Sequence, residues 1–359
     1  MFYELAEKAL ELEKSGEHVI RLNVGDTNLP TPQCAVEAAI ASIKSTNLGY
    51  GQAAGILELR EKIAEREQCD IKNVAVGPGS KHLIYGLLTV LAKGCTVTFP
   101  SPSWPAYELA CGQLNIKTRK IESTMENEWQ VEQANVAGAS DLQCSNHDIL
   151  ILCNPLNPTS TIYRESCLNA MLEEAQRKGK HVILDEAYKG LAFGQIQKYE
   201  NAIRVRSFSK EFNMENWRIG YVIAPESVVQ KLLSFLHTTT TCEPVFVQMA
   251  ALACLENERE LLTMHRKIWE ERSEVTTRAL EKIDFKFVKP EAGIYVFAQH
   301  EKIKDSEKFA LDLLEKEHVA VAPGTSFGSY KKFIRICVNQ DTCTLKSAVE
   351  RIGAYLAAL

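Results

Sequence analysis

The feature that most constrains the fold is a regular alternation of short apolar runs with amphipathic runs between about residues 73 and 237. The apolar runs are β-branched and end at Gly, Pro or Asp, whereas the amphipathic runs have helical spacing. Strands of this kind, alternating with helices, form a mostly parallel sheet that helices cover on both faces. Strands are predicted at 73–76, 95–99, 148–153, 181–184, 203–208 and 219–223, and helices at 81–92, 164–178 and 227–237. The sequence therefore predicts an α/β fold.

The pattern changes after about residue 264. Strands are predicted there at 285–288, 294–298, 319–322 and 333–338, and helices at 265–282, 306–316 and 345–356. This mixture indicates a smaller α+β domain, and the 359 residues are more than one core usually serves. We predict a large α/β domain at 35–263 and a small α+β domain made of 1–34 and 264–359, with a ligand cleft between them.

The composition excludes several classes of protein. The formal net charge is −5, which predicts no basic surface for nucleic acid, and no apolar run approaches the length of a membrane span. The 11 cysteines include no Cys-x-x-Cys pair and their number is odd, which is typical of free thiols in a reducing compartment. We therefore expect a cytoplasmic protein that binds small molecules and has no metal site.

Four polar segments directly follow predicted strands. They are residues 77–80, 154–160, 185–188 and 207–210. Ligands of parallel sheets bind at the carboxyl ends of the strands, so these segments are expected to meet at one site. The amine of Lys210 can condense with an aldehyde, and the hydroxyls of Ser207 and Ser209 with the guanidinium of Arg218 suit a phosphate group. A helix that begins near Gly79 would add backbone N–H donors for the same phosphate.

Asp185 ends an apolar strand, so its carboxylate is expected at the rim of the sheet, where it could keep a heteroaromatic ring nitrogen protonated. The whole set resembles the class I/II pyridoxal-phosphate-dependent aminotransferases, the aspartate aminotransferase-like group of fold type I. The resemblance extends in the same order over nearly the whole chain. It is carried by residues 23–26, 30–32, Tyr50 with 54–60, 102–107, 154–159, 185–188, 207–210 with 216–221, 323–328 and 333–335.

The resemblance implies fold type I, a mostly parallel sheet sandwiched by helices beside a smaller α+β domain, with pyridoxal 5′-phosphate as the cofactor. It implies that Lys210 forms a Schiff base with the cofactor and carries protons, and that Asp185 pairs with the ring nitrogen. It also implies that Asn157 and Tyr188 hydrogen-bond the ring's phenolic oxygen. Trp104 would stack on the ring. The residues implied for the phosphate are Gly79, Ser80, Lys81, Ser207, Ser209, Arg218 and, from the neighbouring subunit of a homodimer, Tyr50. Those implied for the substrate are Gly25, Asn157 and Arg335, whose guanidinium would bind the α-carboxylate.

The predicted function is transfer of an amino group between an amino acid and a 2-oxo acid. An amino-acid decarboxylase or carbon–sulfur lyase of the same fold is the alternative, and a non-catalytic binding protein is a second one. The identities of donor and acceptor stay open. Other roles also stay open for three of the predicted residues. Arg335 could serve a structural ion pair, and Trp104 or Tyr188 could be a core aromatic. Ser160 departs from the family, which usually has Gly after Asn-Pro-Thr, so a slightly different turn is expected there.

Overall fold

The computed structural model describes residues 2–45, 49–131 and 149–359, without the side chains of residues 2 and 3. After a short strand, β1 (Ile20–Arg21), the described chain forms a seven-stranded sheet in the order β2-β8-β7-β6-β5-β3-β4. Its strands are β2 (Val74–Gly77), β3 (Thr96–Ser101), β4 (Lys117–Glu122), β5 (Ile149–Cys153), β6 (His181–Asp185), β7 (Ile203–Ser207) and β8 (Gly220–Ile223). Only β8 runs antiparallel to its neighbours, which confirms the predicted mostly parallel sheet.

Helices cover both faces of this sheet, as its apolar strands require. The α-helices of the described residues are α1 (Phe2–Lys14), α2 (Gln33–Lys44), α3 (Leu57–Glu67), α4 (Gly79–Leu91), α5 (Ala106–Gln113), α6 (Glu165–Arg177), α7 (Phe208–Glu211), α8 (Glu226–Thr239), α9 (Val245–Glu256), α10 (Glu258–Glu281), α11 (Ser306–Glu317) and α12 (Thr342–Ala357). Strand β5 shows the two-sided burial: Leu150 and Leu152 join the apolar cluster of α6, whereas Ile149 and Ile151 join the cluster of α4. None of these helices has the length and apolar character needed to cross a membrane.

The second half of the structure contains a four-stranded antiparallel sheet. It consists of β9 (Lys286–Phe287), β10 (Tyr295–Gln299), β12 (Ala322–Pro323) and β13 (Phe333–Cys337), in the order β12-β13-β10-β9. A further strand, β11 (Val319–Ala320), pairs in parallel with β1 near the N-terminus. This pairing and the antiparallel sheet support the proposed small domain of 1–34 plus 264–359 beside a large domain of 35–263.

Several predicted bounds are wrong. The single strand predicted at 319–322 is two strands, because Val319–Ala320 pairs with β1 while Ala322–Pro323 pairs with β13. The long helix predicted to begin at 265 begins at Glu258 instead. Only Asn257 separates it from the end of α9. Strand β4 was not predicted, and Asp148, predicted to begin the strand that is now β5, lies outside the described residues.

Candidate active site

A cavity of about 850 Å³ opens at the carboxyl ends of β5, β6 and β7, where residues of the antiparallel sheet also reach. All of the predicted site residues line this cavity except Gly79 and Tyr50. The residues that it brings together are Gly25, Ser80, Lys81, Trp104, Asn157, Asp185, Tyr188, Ser207, Ser209, Lys210, Arg218 and Arg335. The polar loops of separate strands therefore form one site, as their common position in the sheet predicted.

Lys210 lies on the short helix α7, directly after β7. The hydroxyl of Ser207 begins this helix by accepting a hydrogen bond from the backbone N–H of Ser209 at 3.2 Å. The Nζ atom of Lys210 lies 3.5 Å from Oε1 of Glu215. Burial lowers the pKa of Lys210, although the nearby acids Glu215 and Asp26 act in the opposite direction. A lowered pKa increases the fraction of neutral, nucleophilic amine.

The start of helix α4 faces the guanidinium of Arg218. Gly79 has φ +82°, and a Cβ atom at this position would lie 2.8 Å from Nη2 of Arg218, so both the backbone and the close approach require glycine. Arg218 is held by a hydrogen bond from Nη1 to the backbone oxygen of Glu215 at 2.7 Å. Together with the hydroxyls of Ser207 and Ser209, these N–H donors form a set that fits a phosphate group.

Asp185 ends β6 and is 2% exposed. Its Oδ2 atom accepts a hydrogen bond from the hydroxyl of Tyr107 at 2.7 Å, and Oδ1 accepts one from the backbone N–H of Ala187 at 3.1 Å. Burial raises the pKa of Asp185 to about 6, and these two hydrogen bonds limit the rise. Among the described residues no cationic side chain pairs with this buried carboxylate, which is therefore suited to a protonated ring nitrogen.

Arg335 is buried on β13, and its hydrogen bonds within the described residues go to neutral groups. Its Nη1 atom donates to Oδ1 of Asn157 at 3.1 Å and its Nη2 atom to the backbone oxygen of Asn23 at 2.9 Å, while Nε has no partner in the described structure. No acidic side chain of the described residues makes a salt bridge with it, so the structural ion pair considered for Arg335 is wrong. A buried guanidinium of this kind is stabilised by an anionic ligand.

Two aromatic groups in the cavity have contacts that orient them. The ring of Trp104 meets that of Tyr107 edge-on at 5.5 Å, and Lys81 Nζ lies 5.4 Å from the centre of the Trp104 ring. The hydroxyl of Tyr188 lies 3.0 Å from that of Tyr295 and accepts a 3.3 Å hydrogen bond from Asn157 Nδ2. Tyr188 is therefore both a buried member of the hydrophobic core and a residue that lines the cavity.

Three residues of the site were not predicted, namely Tyr107, Glu215 and Tyr295. Tyr107 lies inside a sequence segment that was recognised and Glu215 lies directly before one, but nothing in those segments indicated what the two side chains contact. Tyr295 stacks against the guanidinium of Arg335 at 4.1 Å, and a Cβ atom on Gly25 would lie 1.9 Å from its hydroxyl. Gly25 is therefore needed to admit Tyr295.

Tyr50 is 92% exposed and does not line the cavity of its own chain. It lines a separate groove with Cys242 and Glu243. Its predicted contact with the cofactor of a neighbouring subunit stays a prediction. Among the residues that the structure describes, no cluster of three His, Cys, Asp or Glu side chains could hold a metal ion.

Comparison with known proteins agrees with this geometry. The profile of the family "Aminotransferase class I and II" matches residues 17–352. The aspartate aminotransferase of Thermococcus kodakarensis is 33% identical over 325 residues, which cover 89% of this chain and 84% of that protein. The solved aspartate aminotransferase of Thermotoga maritima superposes with a TM-score of 0.91 at 28% identity, covering 99% and 96% of the two chains. That of Thermus thermophilus with maleate has a TM-score of 0.93 at 26% identity, covering 98% and 96%.

The fold and the cavity are thus those of fold type I enzymes, which use pyridoxal phosphate. The chain belongs to the class I and II aminotransferase family. Its activity is that of a pyridoxal-phosphate-dependent aminotransferase, which confirms the predicted function class.

Proposed function

We propose that the cavity binds pyridoxal 5′-phosphate covalently through Lys210 and exchanges an amino group between an amino acid and a 2-oxo acid. One observation carries this proposal: a lysine with a lowered pKa, a buried carboxylate and a buried guanidinium without an acidic partner line the same cavity. When bound, the cofactor supplies the electron sink that lets the α-hydrogen of the amino acid leave as a proton.

Different residues of the cavity would bind different parts of the cofactor. Asp185 would keep the ring nitrogen protonated, since the hydrogen bonds that its carboxylate accepts from Tyr107 and Ala187 leave it a net negative charge above pH 6. The donors around Gly79 and Arg218 would hold the phosphate. Residues proposed to complete the cofactor site are Ser80, Lys81, Trp104, Asn157, Tyr188, Ser207 and Ser209.

Arg335 would orient the substrate by binding its α-carboxylate with paired N–H donors. The guanidinium is already fixed by Asn157 and by the backbone of Asn23, so little side-chain freedom is lost on binding. Gly25, on the neighbouring loop, leaves room for this arrangement. With its carboxylate held there, the amino acid presents its α-hydrogen to Lys210, whose lowered pKa lets the neutral amine accept the proton.

We also propose that the protein is a cytoplasmic homodimer with shared active sites. The exposed side chain of Tyr50 supports a contact across such an interface, because a 92% exposed tyrosine has no role in its own chain's cavity. The partners are proposed to be small molecules, an amino acid and a 2-oxo acid. The names of the aspartate aminotransferases that resemble this chain favour aspartate as the first donor to test.

The test is turnover and colour in Lys210→Ala beside the wild-type protein. The wild-type protein reconstituted with pyridoxal phosphate should absorb visible light, lose that band when a suitable amino acid is added, and release the matching 2-oxo acid. Lys210→Ala should show no turnover, while Lys93→Ala, a change outside this cavity, should behave as wild type. Release of carbon dioxide or thiol instead of a 2-oxo acid would favour the decarboxylase or lyase alternative.

A further inference from the structure

Glu215 is a charged side chain of the cavity that the proposed function leaves without a role. Its Oε1 atom lies 3.5 Å from Lys210 Nζ and accepts a hydrogen bond from the backbone N–H of Thr27 at 2.7 Å. Thr27 is fully buried, so this bond fixes the position of the carboxylate. The side chain is 27% exposed and lines the cavity, so it is open to a ligand.

The position of this carboxylate matters because amine exchange puts two nitrogen atoms in nearly the same place in turn. The nitrogen of the incoming amino acid must replace Lys210 Nζ on one carbon atom. A carboxylate that lies 3.5 Å from Nζ is therefore within reach of both nitrogens. Before the exchange, the nitrogen that is not attached to the carbon is the ammonium group of the amino acid, which a carboxylate binds well. After the exchange, that nitrogen is the neutral amine of Lys210, which can donate a hydrogen bond to the same carboxylate.

We propose that Glu215 is a positioning residue for this exchange: its carboxylate pairs first with the α-ammonium group of the amino acid and then accepts a hydrogen bond from the neutral amine of displaced Lys210. This inference rests on the proposed function. In the exchange, the amino acid's nitrogen forms a bond to the carbon, the bond from that carbon to Nζ breaks, and two protons pass from the amino acid's nitrogen to Nζ, while the positive charge stays on the nitrogen that is now bound to the carbon. Charge and electrons balance without a further reactant.

The surroundings leave Glu215 as the carboxylate in direct contact with Nζ. Asp26 also acts on Lys210, but it is exposed and does not line the cavity. Cys337 stays a neutral thiol near pH 7, because burial raises its pKa to about 12. The phenols of Tyr188 and Tyr295 also have pKa values raised by burial. The other charged groups of the cavity are Lys81, Asp185, Arg218 and Arg335.

The test variant is Glu215→Gln, because the amide oxygen can still accept from Thr27 N–H and only the charge is lost. Losing a charged hydrogen bond to the donor's ammonium group should raise KM for the amino donor about tenfold and change kcat less than about threefold. A second readout needs no turnover. The pH midpoint of the visible absorbance of the cofactor bound to Lys210 should fall by about one unit, since a nearby carboxylate favours the protonated nitrogen.

Asp26→Asn is the matched control, because it removes one negative charge near Lys210 but outside the cavity. Its midpoint should move by less than half as much as that of Glu215→Gln. The inference is overturned if the two variants shift the midpoint equally, or if Glu215→Gln lowers the melting temperature while KM and the midpoint stay unchanged. A protein that stays colourless after reconstitution would instead refute the proposed function, and this inference with it.

Discussion

The two faces of strands β6 and β7 carry charges in two very different situations. Successive residues of a strand point to opposite faces, so Asp185 lies in the cavity while Glu186 lies behind the sheet. The same alternation separates Ser207 from Arg206. The charges behind the sheet form a group that we call the ionic cluster: Arg66, Glu67, Glu186, Lys189, Arg204, Arg206, Glu211 and Glu258.

The members of the ionic cluster neutralise one another. Glu211 directly follows Lys210, and its carboxylate accepts from Arg206 at 2.6 Å, from Arg66 at 3.0 Å and from the backbone N–H of Gly190 at 2.8 Å. Burial alone would raise the pKa of Glu211, but the two guanidinium groups lower it. The backbone on which Lys210 lies is thus anchored by a carboxylate that is fully satisfied.

The cavity face has the opposite property. Its carboxylate at Asp185 and its guanidinium at Arg335 have hydrogen bonds, but within the described part of the chain neither has an opposite charge beside it. Burying such groups destabilises the folded protein until a ligand supplies the missing charge. The comparison teaches that charge behind the sheet stabilises the fold, whereas charge in the cavity is reserved for ligands.

The largest expected effect comes from breaking the ionic cluster. Glu211→Ala leaves the buried guanidinium of Arg206 without its closest partner and should lower the free energy of unfolding by about 3–5 kcal/mol. Urea denaturation measures this. Glu258→Ala is the control, since Glu258 also pairs with Arg66 but is 28% exposed, and should lower it by less than about 1.5 kcal/mol. Equal losses in the two variants would contradict the comparison.

Removing a charge from the cavity should stabilise the folded, cofactor-free protein, whereas removing one from the ionic cluster destabilises it. Asp185→Asn should abolish transamination yet raise the free energy of unfolding of the cofactor-free protein at pH 8 by roughly 1–3 kcal/mol, because each pKa unit corresponds to about 1.4 kcal/mol. The sign follows from the raised pKa: the charged form is penalised in the folded state, fully so above pH 6 and not at all below pH 3.8. The advantage over wild type should therefore vanish near pH 4, and its persistence there would exclude this cause.

A smaller effect is expected when Arg335 is replaced by lysine, which keeps the positive charge but changes the geometry of the N–H donors. Arg335→Lys loses the paired donors and should raise KM for the amino donor about tenfold, with the bound cofactor's absorbance unchanged. Steady-state kinetics measures the change. Arg21→Lys alters an exposed arginine that pairs with Glu13 and serves as the control with wild-type kinetics. Wild-type KM in Arg335→Lys would mean that a point charge suffices.

The smallest effect concerns the position where the chain departs from its family. Ser160 has φ +58°, and its hydroxyl accepts a hydrogen bond from the backbone N–H of Tyr295 at 3.2 Å. Ser160→Gly removes this bond but relieves the left-handed backbone, so unfolding free energy should change by less than about 1 kcal/mol. Ser160→Ala loses the bond without that relief and should be less stable than Ser160→Gly by about 1 kcal/mol. Equal stability of the two variants would show that the backbone conformation contributes nothing.

Much of the site could be predicted because it depends on strand order alone. The carboxyl ends of parallel strands meet at one edge, so Asn157, Asp185 and Lys210 had to lie close together once their strands were recognised. Strand β4 could not be recognised in the same way. It lies at the edge of the sheet, and Ile121 is its one buried residue, so its charged sequence carries no apolar pattern.

Contacts between distant segments were also beyond the sequence. Tyr107 and Asp185 are 78 residues apart, and Tyr188 and Tyr295 are 107 apart. Local spacing has no information on such pairs. Nor could it separate Glu211 from Glu215, which are both acids close to Lys210 but lie in the ionic cluster and in the cavity respectively.

The sequence by itself determined the α/β class, the order of the strands' polar ends and the lysine at the centre of the site, because periodicity and short motifs act through local backbone geometry. Only the tertiary structure decided which charges are satisfied. Whether Arg335 meets an acid, or Glu215 meets Lys210, depends on how separate elements pack. Electrostatic energies in a protein depend on burial and on distances between such elements, and neither is contained in the spacing of residues along the chain.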